Sequence, residues 1–233
     1  MDQTIDLKFQ RPKKRSASDQ LIAAAGPLFA DKPFDAVSTR ELANAAQVNL
    51  SAISYHFGSK EGLYEAVFKN LLNELQPVRQ GMATFLGAAI EPARGNRAMQ
   101  RNIVESLVAM FMDSLTSSLH PHWHMRLMLR EIQQPGRCFT LVMNEHINVV
   151  HDLIGGLVSS ITGDAENSSS VIITSHTLIG ICLQYRLNET ILAHRLGWSE
   201  YGAKEIATIK DETSKTIIAM LGLTEPAISI ESE

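Results

Sequence analysis

The sequence predicts an all-α protein, with a small N-terminal three-helix domain, a fourth short helix that leads out of it, and a larger helical domain after that. Apolar residues recur at three- and four-residue steps, as in the series Ile103, Leu107, Phe111, Leu115 and Leu119. A second series, from Met143 to Ile161, alternates the same two steps and marks a packed helix face. No alternation of period two is sustained along the sequence, so we expect no β-sheet.

Proline, glycine and polar stretches divide this helical pattern into segments. We predict short helices at about 17–31, 39–45, 50–56 and 60–75, with a break at Pro77. Longer helices are predicted at about 97–118, 121–133, 138–161, 169–187 and 203–221. The change in helix length predicts a flexible arm at 1–15, a small domain at 16–75, a larger domain at 76–225 and a flexible tail at 226–233.

The composition is that of an ordinary globular protein, with 233 residues of which 45% are hydrophobic and 20% are charged. No uninterrupted apolar run is long enough to cross a membrane. The first ten residues lack the apolar stretch of a secretory signal. Cys138 and Cys182 are too few for a disulfide framework or a cysteine-rich zinc site. We therefore expect a cytoplasmic protein.

The charge is unevenly distributed along the chain. The net charge is −4, but residues 1–60 carry eight Lys/Arg and six Asp/Glu, which leaves −6 for the rest. A cluster without any acid supplies five of these cations: Lys8, Arg11, Lys13, Lys14 and Arg15. A basic arm on an acidic protein suits the attraction of phosphates at one end of the molecule. A solvated tail without a partner is the alternative, and the sequence leaves both open.

The segment 38–60 has the pattern of a helix-turn-helix. Ser38 is a good N-cap, and Glu41 three residues later predicts a capping box for a helix that ends near Ala45. A turn follows at 46–48, and Asn49 can cap a second short helix at 50–56. Two helices joined by three or four residues form the helix-turn-helix unit.

The second of these helices has the side chains of a helix that reads a DNA groove. Its inward positions are apolar, and its outward residues are expected to be Ser51, Ala52, Ser54 and Tyr55. Small side chains near the start of the helix allow a close approach to base edges. Arg40 is the best candidate for a base contact, because arginine pairs bidentately with guanine. A surface ion pair of Arg40 with Glu41 or Asp35 is the alternative.

This segment resembles the DNA-binding domain of the TetR family over residues 16–68. The matching positions are Thr39, Leu42, Ala43, Ala46, Val48, Tyr55, His56, Phe57, Ser59, Lys60, Glu61 and Leu63. Two positions depart from the family pattern: Gln47 stands where a turn glycine is usual, and Ser54 stands where an aromatic residue is usual. The larger domain is similar to the CecR-type subgroup in the segments MLREIQQP at 128–135, YRL at 185–187 and LGWSEY at 196–201.

The resemblance implies roles for the residues of the helix-turn-helix. Tyr55, His56 and Lys60 would contact phosphates, with Thr39 at the start of its helix, where free backbone N–H groups attract anions. The groove floor would be met by Leu50, Ser51 and Ala52. Packing against the fourth helix is the alternative for Tyr55 and His56.

The resemblance also implies a homodimer that binds an operator. The last two long helices would pair with their copies as a four-helix bundle, with Gly180 and Ser175 allowing close approach. The predicted interface consists of Leu178, Cys182, Tyr185, Ile206, Ile217 and Leu221. Two DNA-binding domains would then read a roughly palindromic operator of double-stranded DNA.

We further expect a repressor that a small-molecule effector releases from DNA by shifting the helix at 60–75. Seven of the nine methionines lie between residues 82 and 143, and methionine adapts to varied apolar partners. We predict an effector cavity between the helices near 97–118, 121–133 and 138–161, lined by Phe111, Trp123 and Met128. Core packing is the alternative for each of these residues.

Other functions have weaker support in the sequence. The run HPHWH at 120–124 invites a metal interpretation, but Pro121 is expected to start a helix and no carboxylate or thiol is near, so we expect no metal. No catalytic motif is present, and we expect neither an enzyme nor a cofactor. An interaction protein that keeps the fold without reading DNA is the alternative, because 50–56 lacks Arg, Lys, Asn and Gln.

Overall fold

A computed structural model describes residues 16–116 and 121–225, and every regular element in these two ranges is helical. This confirms the predicted all-α fold. The first elements are α1 (Ala17–Asp31), a 3₁₀ turn (Phe34–Ala36), α2 (Thr39–Ala45), α3 (Ser51–Phe57) and α4 (Lys60–Ala89). They are followed by α5 (Arg97–Thr116), α6 (His122–Gln133), α7 (Phe139–Val142), α8 (Asn148–Thr162), α9 (Ser169–Leu187), α10 (Glu189–Leu196) and α11 (Ala203–Met220).

The prediction of a break at Pro77 was wrong. Helix α4 runs through this proline to Ala89. The apolar stripe continues beyond it with Met82 and Leu86, which are buried in the core. Their burial outweighs the backbone hydrogen bond that a proline removes from a helix.

Two other elements differ from the predicted pattern. A π-helical segment, Met143–Ile147, joins α7 to α8. The apolar periodicity predicted an uninterrupted helix here, because the wider π-helical turn barely disturbs the spacing of the apolar residues. Helix α10 was not predicted, and none of its residues is buried, so it carries no apolar stripe that a sequence pattern could detect.

The chain divides into two compact units. Unit 1 contains residues 16–71 and 122–138 of the described chain, and unit 2 contains residues 72–116, Pro121 and residues 139–225. The predicted small domain ended at residue 75 and excluded α6. The structure instead places α6 in unit 1, where the Trp123 ring lies against Gly26 of α1.

Polar contacts fasten α6 within unit 1. Arg130 donates hydrogen bonds to the carbonyl oxygens of Phe29 and Lys32, at and just beyond the end of α1. The buried Glu131 carboxylate accepts from the Tyr64 hydroxyl at 2.8 Å and from the Cys138 backbone N–H at 2.7 Å. Buried charges persist where such bonds satisfy them, so α6 is an integral part of this unit.

Unit 2 is built around an apolar core. Its largest contributors come from α4, α5, α8, α9 and α11, and they include Met82, Leu86, Met112, Ile154, Leu157, Val171, Leu178 and Ile217. At one edge, Arg97 and Arg101 donate to the carbonyl oxygens of Gly222 and Leu223, which follow α11. None of the helices in the described part of the chain is long and apolar enough to span a membrane.

Candidate nucleic-acid interface

The start of α2 is fixed by one half of the predicted capping box. The Ser38 hydroxyl accepts the Glu41 backbone N–H at 3.1 Å, as the N-cap role requires. The Glu41 carboxylate does not complete the box, because it pairs with Lys32 at 2.5 Å. This hydrogen bond from Lys32 holds the pKa of Glu41 below its ordinary value.

The turn between α2 and α3 contains a residue in the left-handed region. Gln47 has a φ of +54°, a conformation that glycine adopts more readily than other residues. The following N–H, of Val48, returns to the Ala43 carbonyl at 3.0 Å and closes the turn. The Asn49 side chain then accepts the Ser51 N–H and the Ser51 hydroxyl, both at 3.0 Å. The predicted cap is therefore present, although α3 begins one residue later than predicted.

Helix α3 presents one buried and one exposed face. Ile53 is buried and anchors the helix in unit 1. Tyr55 is 84% exposed and Leu50 is 44% exposed, and Ser51, Ser54 and His56 are exposed with them. Ala52 is half-buried. The exposure of Tyr55 and His56 disfavours the alternative that these two rings serve to pack against α4.

Arg40 lies in the first turn of α2, the helix that precedes α3. It is exposed, and it forms no ion pair within residues 16–116 and 121–225, because Glu41 is engaged by Lys32. The alternative of an ion pair with Glu41 or Asp35 is therefore not observed in the described ranges. Thr39, at the first position of the same helix, is half-buried.

Lys60 has a positioning role that the sequence pattern did not reveal. Its ammonium donates to the carbonyl oxygens of Phe34 at 2.9 Å and Val37 at 3.0 Å. It also lies 4.0 Å from the centroid of the Phe34 ring. Two of its three N–H groups are thus used to hold the 3₁₀ turn against the start of α4. One N–H group of Lys60 therefore remains for the phosphate contact that the family resemblance implies.

Gly62 makes a close approach that no other residue type allows without movement. A Cβ atom at this position would lie 2.0 Å from the Phe57 carbonyl oxygen, at the end of α3. The absence of a side chain therefore sets the junction of α3 and α4. No signal in the sequence indicated this role of Gly62, although the neighbouring Lys60 and Leu63 belong to the family motif.

Family comparison agrees with the geometry of both units. The family described as bacterial regulatory proteins, tetR family, matches residues 21–67. The C-terminal domain of the HTH-type transcriptional dual regulator CecR matches residues 97–222, which is more than half of the chain. This chain belongs to the TetR family. It is therefore a DNA-binding transcriptional regulator with a CecR-type C-terminal domain, which favours DNA binding over the interaction protein considered as the alternative.

Individual relatives extend this result over the whole chain. The dual regulator CecR of Shigella flexneri is 28% identical and aligns with 93% of this chain and 96% of its own. A putative fatty acid metabolism regulator of Clostridium perfringens has a TM-score of 0.59 at 14% identity, covering 89% and 99% of the two chains. AibR, in complex with isovaleryl coenzyme A and operator DNA, has a TM-score of 0.53 at 13% identity, covering 87% and 98%. The two solved structures support the fold alone.

The predicted effector residues of this TetR-family regulator do not come together in one unit. Phe111 lies in unit 2, whereas Trp123 and Met128 lie in unit 1 with the rest of α6. The grouping assumed that α6 belongs to the larger domain, but its polar anchors bind it to α1 and Tyr64.

Unit 2 itself contains a small apolar cavity and an open groove. The cavity has a volume of about 20 Å³, little more than one water molecule requires. Its walls come from α5, α8, α9, α11 and the residue after α11, and they include Val108, Phe111, Leu157, Leu178, Cys182 and Leu221. The groove, of about 260 Å³, lies between α4 and α5 and is lined by residues that include Phe85, Pro92 and Met99.

Four of the six residues predicted for the dimer interface lie inside the core of unit 2. Leu178, Cys182, Ile217 and Leu221 are buried in the core of their own chain, and Tyr185 and Ile206 are half-buried. Ser175 is buried as well and bonds to the Val171 carbonyl. The outer face of α9 carries Ile172, Ile173, Gly180 and Leu187. Because α9 is apolar on both faces, its sequence pattern does not show which one is internal.

The remaining candidates lie partly outside the described residues. The basic arm at 1–15, the tail at 226–233 and His120 belong to that part of the chain. In the HPHWH run, His122 is exposed and His124 is buried. Within the two described ranges there is no group of three or more His, Cys, Asp or Glu side chains placed to hold a metal ion.

Proposed function

We propose that this TetR-family regulator is a homodimeric repressor that binds a roughly palindromic operator and is released by an apolar small-molecule effector. The observation that carries the proposal is the exposed face of α3, together with the exposed Arg40 of α2, which has no ion pair among the described residues. Such a face can enter the major groove, where arginine discriminates guanine from other bases.

The roles proposed for the individual residues follow from their chemistry. Arg40 would pair with a guanine edge, and Leu50, Ser51 and Ala52 would contact the groove floor. Tyr55 and His56, both exposed, would contact phosphates on either side of that groove. Thr39 would add a phosphate contact from the start of α2, and Lys60 would position the turn before α2 and contribute its remaining donor.

Fluorescence anisotropy with the DNA upstream of the regulator's own gene tests these roles. Arg40→Ala should reduce discrimination between this operator and a mutated one by about 1–3 kcal/mol. Arg195→Ala, which removes an exposed arginine of α10, is the matched control and should leave discrimination unchanged. Equal binding of operator and unrelated DNA by the unaltered protein would contradict sequence-specific reading.

A promoter–reporter fusion tests the sign of regulation. The proposed repressor should lower expression when the operator overlaps its promoter, and deletion of the regulator should raise it. The Shigella flexneri relative is named a dual regulator, so the reporter is needed to distinguish repression from activation. A fall in expression on deletion would show activation and contradict the proposal.

The outer face of α9 is the proposed dimer interface. Ile173 is 65% exposed and Ile172 is 53% exposed, and a Cβ atom on Gly180 would have no neighbour within 4 Å. Ile173→Glu should place a charge in the interface and produce monomers in analytical ultracentrifugation. Met99→Glu, on α5, is the control and should remain dimeric. A dimer that survives Ile173→Glu would place the interface elsewhere.

The apolar cavity lined by Phe111 is the proposed effector site. It is enclosed by core side chains of α5, α8, α9 and α11, and it must widen to admit a ligand larger than water. All the side chains that line it are apolar, which supports an apolar class of effector. Widening of the cavity would be coupled to DNA release through a shift of α4, so the effector must bind the DNA-incompetent state more tightly.

The effector site can be tested with a single fluorophore. Trp123→Phe leaves Trp198, which packs against the unit 2 core, as the one tryptophan. Its emission should change when a releasing compound binds. Val108→Phe, which fills the cavity, should abolish release, whereas Met99→Phe in the open groove should not. The reverse result would assign the effector to the groove.

A further inference from the structure

Two histidines from different helices meet on the surface of unit 2. His151 lies on α8 and His176 on α9, and their rings are nearly parallel with centroids 5.5 Å apart. The Nε2 atom of His151 and the Nδ1 atom of His176 are 3.2 Å apart. Because 25 residues separate them along the chain, no local spacing motif reveals this pair.

The hydrogen bonds define the protonation of the pair. His151 Nδ1 lies 2.9 Å from the Ile147 carbonyl oxygen, which can only accept, so Nδ1 carries the proton. In the neutral ring, Nε2 of His151 then has a free lone pair, and His176 donates its Nδ1–H to it. A carbonyl that accepts from the second ring nitrogen is the outer-shell partner that metal-binding histidines normally have.

The separation of the two nitrogens fits a metal ion. With Zn–N bonds of about 2.0–2.1 Å, nitrogens 3.2 Å apart subtend an angle of about 100–105° at the metal, close to the tetrahedral value. His151 is half-buried and held by Ile147, whereas His176 is exposed and its ring can turn to direct its lone pair at the ion. Imidazole ligands suit zinc, copper and nickel and not magnesium or calcium.

We propose that His151 and His176 form a two-imidazole site for a divalent transition metal ion, of which zinc is the best fit. Metal binding requires His176 to change tautomer: Nδ1 gives its proton to water while Nε2 takes one from water, so the ring stays neutral, Nδ1 offers its lone pair to the ion, and water completes the coordination. The bound ion would link α8 to α9 at the surface of unit 2. This site does not depend on the proposed operator or effector cavity, because its ligands lie outside both. His176 shares the exposed side of α9 with Ile173 and Gly180, so the ion would bind at the edge of the proposed dimer interface.

The test uses the tag-free, metal-free full-length protein. Co²⁺ should bind and give a visible d–d spectrum, and Zn²⁺ should displace it, whereas Mg²⁺ should not. Competition with a fluorescent chelator measures the Zn²⁺ affinity. His151→Asn and His176→Asn should each weaken it by more than the ~10–100-fold that loss of an outer-shell partner costs. Zn²⁺ should also raise the Tm of the unaltered protein but not of either variant.

Matched substitutions make the result specific. His194→Asn on α10 and His122→Asn on α6 each remove another exposed histidine, and both should keep the Zn²⁺ affinity of the unaltered protein. His176 is exposed, so His176→Asn should retain the fold, as circular dichroism would verify. Unchanged Zn²⁺ affinity in both His151→Asn and His176→Asn would overturn the proposal, as would a loss caused by His122→Asn.

Discussion

In unit 1 a buried carboxylate, Glu131, accepts two hydrogen bonds, and Lys60 and Arg130 each donate to two backbone carbonyls. In unit 2 the core is apolar, and the fully buried Thr213 hydroxyl has no hydrogen-bond partner among the described residues. Directional bonds fix α6 and the 3₁₀ turn of unit 1 in one geometry, whereas the core of unit 2 is held by non-directional packing, and its arginine bonds lie outside that core.

This difference suits the two tasks of the proposed effector-released repressor. A groove-reading helix must keep its side chains in register with base edges, so its supports should be rigid. An effector site must change shape, and apolar side chains can repack around a ligand without leaving polar groups unsatisfied. Substitutions in each unit test this contrast between a polar-anchored unit and an apolar unit.

The largest effect is expected from Glu131→Leu. This change leaves the Tyr64 hydroxyl and the Cys138 N–H buried without an acceptor, at about 1–3 kcal/mol each. We therefore expect the free energy of unfolding to fall by about 2–6 kcal/mol in urea denaturation. Glu131→Gln keeps an oxygen that can accept one of the two bonds and should lose less. An unchanged stability in Glu131→Leu would show that these bonds do not anchor α6.

A pH-dependent loss of stability is expected in unit 2. Burial, followed by the nearby Arg79 guanidinium, lowers the pKa of His146 to about 4 from its ordinary 6.5. Between these values the unfolded chain binds a proton that the folded protein excludes. The free energy of unfolding should thus fall by about 2–3 kcal/mol as the pH drops from 6.5 to 4.

His146→Gln isolates this contribution, because glutamine can still accept the bond from Arg79 but does not titrate. Its stability should depend less steeply on pH over the same interval, as measured by urea denaturation at several pH values. Identical pH profiles for the two proteins would contradict the neutral state of the half-buried His146.

A smaller loss is expected from Gly62→Ala. The added Cβ would meet the Phe57 carbonyl oxygen at 2.0 Å, and the backbone at the α3–α4 junction must move. We expect about 1–3 kcal/mol of destabilisation together with weaker operator binding. Gly87→Ala, in the same helix but with open space around it, should instead stabilise by about 0.5–1 kcal/mol. Equal effects of the two changes in thermal unfolding would refute the close approach.

The smallest expected effect is a gain in the stability of unit 2. Thr213→Val replaces a buried hydroxyl that has no partner in the described ranges with a methyl group of the same shape. Removing this unsatisfied group should raise the free energy of unfolding by about 1 kcal/mol. Tyr64→Phe is the counterpart in unit 1, where loss of the bonded hydroxyl should destabilise. A loss of stability in Thr213→Val would indicate a hidden partner.

The sequence predicted the helix-turn-helix well because its signals are local. Ser38 and Asn49 accept the bonds expected of caps, and the outward residues of α3 are largely the ones that its pattern indicated, with Ala52 half-buried. The roles of Lys60 and Gly62 were not predicted. Both depend on residues brought close by folding, Phe34 for the lysine and the Phe57 carbonyl for the glycine.

In the larger domain the sequence predicted helices but not their partners. The apolar faces of α9 gave no means to separate the internal Leu178 from the external Ile173. Helix α6 was assigned to the wrong unit, because the contacts that place it join Glu131 to Tyr64, 67 residues earlier in the chain. Contacts of this kind depend on tertiary structure, which periodicity does not contain.

The central proposal for this regulator is that two copies of the exposed α3 face read a palindromic DNA site. Hydroxyl-radical footprinting on the DNA upstream of its own gene tests it most directly. We expect two symmetric protected half-sites with centres about 34–36 Å apart, or a multiple of that spacing. Arg40→Ala should remove the protection, and Arg195→Ala should preserve it. Uniform protection without half-sites, or a footprint that Arg40→Ala leaves intact, would contradict this mode of DNA binding.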